Sequence, residues 1–239
     1  MNQKIRKLSA AQVANEVAES VQYQGRKASR QGSEQRRQAI LDAAMRIIIR
    51  DGVRAVRHRA VAAEAAVPLS ATTYYFKDIN DLITDTFAQF VERSAVRMAE
   101  FWSSVESDLQ QIAATVSESP AARLQVLEQI VEMAVGYVQV QLTENRDSLL
   151  AEQAFRLEAL LNPGLLGLAA AHRKILRQGV DRFFLGLGSS EPDTDAEVLT
   201  GMILQMEYHG LLDVDGQDQL RLEQMRAVLR RYLHLVMGI

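Results

Sequence analysis

Gln205 and His209 stand four residues apart in an apolar run. On a helix they would share one face, and each needs a hydrogen-bond partner if buried. Tyr137 and Glu152 have the same character in two other apolar segments. Polar groups set among apolar ones orient a small molecule in a pocket, and Met133, Phe155 and Met206 would supply an adaptable apolar wall. These seven residues form the candidate small-molecule-binding set. The competing reading is an ordinary core with satisfied polar groups, and Glu152 has a ready partner in Arg156 at helical spacing. Catalysis finds less support. The histidines, His58, His172, His209 and His234, are scattered singly with no His-x-x-x-His pair, and the chain has no cysteine. Metal spacing, thiol chemistry and disulfides are therefore not expected. No Gly-x-Ser-x-Gly elbow, phosphate-binding loop or Gly-x-Gly-x-x-Gly turn occurs, and no cofactor is expected.

The elements that must carry these groups read as all-helical. Apolar residues recur with helical spacing between Pro68, Pro120, Pro163 and Pro192, each standing where a helix could begin. The first strong helix is expected over 36–50, with Ile40, Ala43, Ala44, Ile47 and Ile48 on its buried face, Ser33 as N-cap and Gly52 as stop. Short helices are expected over 58–65 and 69–75. Longer ones follow near 80–104, 120–144, 146–161, 163–187, 194–212 and 218–237. Helix 120–144 is apolar nearly all round and should be central.

Charge divides the chain more sharply than its net −3 suggests. Residues 1–32 carry six Lys/Arg and two Glu, and residues 33–82 eight Lys/Arg and six Asp/Glu, whereas 83–239 carry thirteen against twenty-two. A basic front suits a polyanionic partner, and an acidic body avoids non-specific adhesion. Residues 1–32 read as a flexible basic arm, with Gly25 and Gly32 flanking Arg26, Lys27 and Arg30 and some helical periodicity over Ala10–Val21. The longest charge-free stretch, Ala159–His172, contains Asn162, Pro163 and Gly164, too polar and too short for a membrane span. The N-terminal segment lacks the apolar centre of a secretory signal. A cytoplasmic location without membrane contact is expected.

Two short helices joined by the tight segment Ala66, Val67, Pro68 and ending in an aromatic pair form a helix-turn-helix candidate, whose second helix would enter a major groove. The run RRQAILDAAMRIIIRDG at 36–52 with HRAVAAEAAVPLSATTYYFKDINDL at 58–82 resembles the DNA-binding domain of TetR-family transcriptional regulators. The shared framework is an Ile-Leu-Asp-Ala-Ala first helix, a Gly stop, an Arg-x-Val-Ala second helix, a small-Val turn and a Tyr-Tyr-Phe ending. The resemblance implies three regions: a flexible basic arm (1–32), a three-helix DNA-binding domain (33–79) and a six-helix ligand-binding and dimerisation domain (80–239).

Carried over by the resemblance, Arg59 matches a phosphate-contacting position, with His58 and Arg57 beside it. Ser70, Ala71, Thr73 and Tyr74 match positions facing bases and sugars, and Tyr75 a phosphate-holding aromatic. Thr72 and Phe76 should face inward. Small residues permit close approach to base edges, and hydroxyls can bond bases or phosphates. Three positions depart from the family pattern. Arg57 replaces a Thr or Ser cap, Ala66 replaces the turn Gly and should alter the turn locally, and Ile79 replaces a phosphate-binding Lys, whose role Lys77 would take.

Apolar stripes on the last two helices, Leu199, Met202, Ile203 and Met206 with Leu222, Met225, Leu229, Tyr232, Leu233 and Val236, suggest a homodimer through a four-helix bundle. The resemblance implies a repressor that binds a roughly palindromic double-stranded operator and is released by a small apolar or amphipathic effector. A helical protein-binding adaptor, or a non-metal enzyme without DNA binding, stays open as the alternative.

Overall fold

The computed structural model describes residues 23–25, 31–115, 119–213 and 218–239. Most of the expected arm, including Arg26, Lys27, Arg30 and Ala10–Val21, lies outside the described residues. All regular secondary structure among them is helical. The helices are α1 (Gln31–Asp51), α2 (His58–Glu64), α3 (Leu69–Tyr75), α4 (Ile79–Ser104), α5 (Glu106–Thr115), α6 (Pro120–Thr143), α7 (Arg146–Leu161), α8 (Leu166–Arg177), α9 (Val180–Gly186), α10 (Pro192–Leu212) and α11 (Asp218–Met237). Short 3-10 turns occupy Val53–Ala55 and Pro163–Leu165. No helix is long and apolar enough to cross a membrane, among the described residues.

The chain divides into two compact units, Met1–Glu100 with Leu150–Ile175, and Phe101–Leu149 with Leu176–Ile239. In the first, the expected face of α1 is buried: Ile40, Ala43, Ala44, Ile47 and Ile48 pack with Val56, Val61, Phe76, Leu82 and Phe87. Their three-and-four spacing puts them on one stripe, and burying that stripe drives the helix to form. Helix α1 starts at Gln31, so Ser33 lies inside it and is not its N-cap. The stop is as expected. Gly52 adopts φ +81° and its N–H donates to Ile48 O at 2.9 Å.

The α2–α3 turn shows what Ala66 does. Val67 N–H donates to Ala62 O at 3.0 Å and Ala66 N–H to Ala63 O at 3.2 Å, the paired bonds of a Schellman ending. Ala66 sits at φ +52°, the left-handed region that favours glycine. The turn is therefore not altered, contrary to the expectation. The two bonds and the Val67 contact with the core hold it in shape, and alanine takes the strain.

In the second unit, α6 contributes Val126, Leu127, Ile130, Val131, Val135 and Val138 to the core, and packs against α10 and α11. Ser119 caps its start by accepting from Ala122 N–H at 3.1 Å. Two bidentate forks tie α6 to α11: Arg226 to Glu132 at 2.7 and 2.9 Å, and Arg230 to Glu128 at 2.7 and 2.7 Å. These arginines hold both carboxyls below the usual range.

From α4 onward eight α helices are described where six were expected. The single helix expected over 163–187 is broken after Arg177, because Gly179 turns at φ +105° and the Trp102 ring fills the space a Cβ would need there. Helix α5 was not expected. Its sequence is polar, and it is anchored by Ile112 and Leu109 in the second core.

Candidate DNA-binding face and effector sites

Helices α2 and α3 each turn a narrow apolar side inward, Val61 and Ala62 from one and Thr72 and Tyr75 from the other. What remains outside includes Arg59, Ser70, Thr73 and Tyr74, followed by Lys77 just beyond α3, all exposed. Arg59 and Lys77 carry no ion pair among the described residues. By contrast, Arg46 and Arg50 on α1 both engage Glu64, at 2.8 and 3.2 Å, and pull its carboxyl below the usual range. The cations beside α3 thus keep their charge available to a polyanion, while Arg46 and Arg50 on α1 are matched internally.

The flanking residues differ. Arg57 is exposed, with extended backbone, and its Nη1 donates to Val56 O at 2.8 Å, so no side chain caps α2. His58 is half-buried and its Nδ1 has no partner. Ala71 is half-buried against the core. Thr72 is buried, its hydroxyl donating to Leu69 O at 2.8 Å, and Phe76 is fully buried, both inward as expected. Tyr75 is buried too, with its hydroxyl 2.8 Å from Ser33 Oγ. Adjacent helix positions diverge by about 100°, so Tyr74 points out where Tyr75 points in. Arg37 lies buried against Asp85 at 2.8 Å and is no part of a solvated helix face.

The seven candidate effector residues fall into three groups. In the first unit, Glu152 and Phe155 are buried; Phe155 packs against Phe87, tilted at 4.8 Å, and meets Phe90 edge-on at 6.1 Å, and His172 lies 5.9 Å from it. Glu152 Oε1 has no hydrogen-bond partner, and Arg156 Nη1 stands 3.9 Å off. Burial pushes the Glu152 carboxyl up to about 7, against the pull of Arg156 and Arg97. Burial likewise lowers the His172 imidazole to about 4, and the same two arginines lower it further. Its Nε2 is 3.2 Å from Ser94 Oγ.

In the second unit, Tyr137 stacks on Phe101 at 4.8 Å, and Phe101 meets Trp102 edge-on at 5.2 Å, with half-buried Met133 one turn earlier on α6. Trp102 Nε1 and Gln178 Oε1, both buried in this unit, lack partners. Sequence reasoning named Met133 and Tyr137 but missed Phe101 and Trp102. The signal was the chain's single tryptophan near the end of a long amphipathic helix. The third group sits on α10. Gln205 and His209 are exposed and bonded to each other at 2.7 Å, not sunk in an apolar interior. Met206 is buried and, with His209, edges a groove of about 280 Å³ between α10 and α11.

Of the expected dimer residues, Leu229 and Leu233 are fully buried, and Met225, Leu199 and Met206 nearly so. Met202, Ile203, Leu222, Tyr232 and Val236 are half-buried on the same core, Tyr232 donating to Asp195 O at 2.9 Å. Their side chains are spent largely within the subunit. The exposed apolar positions on these helices are their neighbours, Val198, Tyr208 and Leu212 on α10 and Leu220, Val228 and Leu235 on α11. Among the described residues no group of three His, Asp or Glu side chains is placed to hold a metal ion.

A short helix pair whose second helix exposes hydroxyls, flanked by Arg59 and Lys77 that carry no ion pair among the described residues, defines a helix-turn-helix DNA-binding regulator. Residues 40–86 match the model of bacterial regulatory proteins of the tetR family, and residues 125–235 that of the tetracyclin repressor-like C-terminal domain. The chain belongs to the TetR family of transcriptional regulators. A TetR-family member from Streptomyces coelicolor A3 is 27% identical over 82% of this chain and 97% of its own, with a TM-score of 0.54. The multidrug binding protein EbrR, solved with ethidium, is 27% identical over 82% and 97%, with a TM-score of 0.55. A TetR transcription regulator from Haloarcula marismortui, 14% identical over 85% and 98% with a TM-score of 0.61, shares the fold. No curated protein matches the chain.

Proposed function

We propose that this ligand-responsive DNA-binding regulator is a cytoplasmic repressor that binds a roughly palindromic operator as a homodimer and leaves it when a small apolar or amphipathic effector binds. The observation that carries the reading is the outward set Arg59, Ser70, Thr73, Tyr74 and Lys77, free of ion pairs at both cations among the described residues, over a sealed apolar core. Arg57, His58 and Ala71 border it. Thr73 and Tyr74 read bases, and Arg59 and Lys77 bind phosphate. The regional division into arm (1–32), DNA-binding domain (33–79) and effector and dimer domain (80–239) belongs to the same proposal, except that positions 23–25 and the start of α4 around Asp85 pack on the DNA-binding core.

The aromatic group Phe101, Trp102 and Tyr137, with Met133, is the favoured effector locus of the seven-residue set and its neighbours. Aromatic faces suit a planar apolar ligand, and the unpartnered Trp102 Nε1 and Gln178 Oε1 suit its polar edge. EbrR, solved with ethidium, supports a ligand of this shape. The effector acts by population shift, favouring a conformer whose two recognition helices no longer match successive major grooves. Dimerisation would use the exposed apolar row on α10 and α11.

Selection of duplexes from a random pool by the full-length protein tests the DNA reading, and should return an inverted repeat. Ethidium titrated into the protein in the absence of DNA, because the dye also intercalates into duplexes, should quench Trp102 fluorescence. Selection that enriches no sequence returns the adaptor or enzyme alternative, and binding without quenching moves the effector elsewhere.

A further inference from the structure

The Asp85 carboxylate is fully buried on α4 and takes three donors: Arg37 Nη2 at 2.8 Å from α1, and the backbone N–H groups of Gln24 at 2.6 Å and Gly25 at 2.9 Å. Two of the three come from a segment that lies, in sequence, before the first helix. Tyr23 completes the attachment. Its ring lies 4.5 Å from the Arg37 guanidinium, and its hydroxyl donates to Glu92 Oε2 at 2.6 Å. Burial and the Glu92 carboxylate hold that phenol far above its usual range, so it stays a donor.

Phe76, the residue after α3, is enclosed by this arrangement. It is fully buried, the Arg37 guanidinium is 5.7 Å from its ring, and a Cβ on Gly25 would stand 2.7 Å from both Phe76 Cε1 and Asp85 Oδ2. Only glycine admits so close an approach without displacing a ring or a charge. On its other side the end of α3 is tied by the Tyr75 and Ser33 hydroxyls. With seven residues, α3 is too short to hold its own direction, so these anchors at its C-terminal end set it.

We propose that Tyr23–Gly25 is a clasp of the DNA-binding unit, through which Asp85 acts as a positioning residue for the recognition helix and so for operator recognition. The residues at positions 23–25 are therefore a fixed part of the head, not part of a flexible arm. Base readout needs the helix at a set angle, whereas attraction between cations and phosphates tolerates a tilt. Loosening the clasp removes sequence preference before general affinity.

The test uses the full-length chain, a duplex it selects from a random pool, and a random duplex. Gly25→Ala forces the clasp apart, and Gln24→Pro deletes one N–H donor. Both should weaken the selected duplex about tenfold or more and the random duplex less than about twofold. Hydrogen exchange needs no DNA and separates this proposal from the DNA reading. The Phe76 amide, bonded to Thr72 O at 3.0 Å, should exchange about tenfold faster in Gly25→Ala, with amides of α6 and α11 unchanged. Unchanged exchange or equal losses on both duplexes would overturn the clasp.

Discussion

The Tyr75 hydroxyl meets Ser33 Oγ at 2.8 Å, so the last residue of the recognition helix is tied to α1 from a buried position. Tyr75→Phe and Ser33→Ala should each lower stability by about 1 kcal/mol in chemical denaturation, because each strands one hydroxyl in a largely buried place. Affinity for random duplex should stay put. A drop in that affinity with a shallower salt slope would restore Tyr75 as a phosphate-binding residue.

The outward residues divide by role. Thr73→Ala should relax preference at one or two base pairs per half-site by about 1 to 3 kcal/mol. Arg59→Ala and Lys77→Ala should weaken every sequence alike and flatten the salt dependence by about 0.9 in slope for each phosphate no longer neutralised. Competition binding at several salt concentrations distinguishes the two patterns, and uniform losses for Thr73→Ala would remove it from the readout.

Ala66 holds a left-handed backbone at φ +52° inside an intact Schellman ending. Ala66→Gly relieves that strain and should stabilise the protein by about 1 kcal/mol in urea denaturation. Loss of stability would mean that the unfolded-state entropy of glycine outweighs the relief.

Glu152 and His172 oppose each other in pH. The Glu152 carboxyl is raised to about 7, so the stability linked to its neutral form is present below its unfolded value, near 4.5, and lost as pH rises through 7. The His172 imidazole is lowered to about 4, so its contribution is present above its unfolded value, near 6.5, and lost as pH falls through 4. The two slopes largely cancel between these limits. Glu152→Gln removes one of them: stability at pH 8 should rise by about 1 to 3 kcal/mol, and a decline toward acid from His172 should emerge. Denaturation midpoints from pH 4 to 8 measure both effects, and an unchanged profile would mean that water reaches Glu152.

The α11 residues separate folding from association. Leu229→Ala should cost about 2 to 5 kcal/mol, since the side chain is fully buried within its own subunit. Val228→Glu with Leu235→Glu changes exposed positions and should leave the fold intact while giving monomers in sedimentation. A double variant that remains dimeric would move the interface off this helix.

The all-helical class and the helix-turn-helix were legible because they rest on local facts. Helical spacing of Ile40, Ala43, Ala44, Ile47 and Ile48 defines a buried stripe whatever packs on it, and Gly52 and the prolines mark ends by backbone chemistry alone. The outward and inward alternation of Thr72, Thr73, Tyr74 and Phe76 follows from helix geometry in the same way. The break at Gly179 was not legible, because it depends on Trp102, a residue distant in sequence whose ring lies against that glycine. Gln205 and His209 failed as buried polar groups for a related reason: α10 is apolar on several sides, and only its neighbours decide which side is covered. Sequence determined which faces could be buried. Tertiary packing decided which were, and it alone brought Gln24, Gly25, Arg37 and Asp85 together, since the pairing of a buried charge with donors 48 to 61 residues away leaves no periodic trace in the chain.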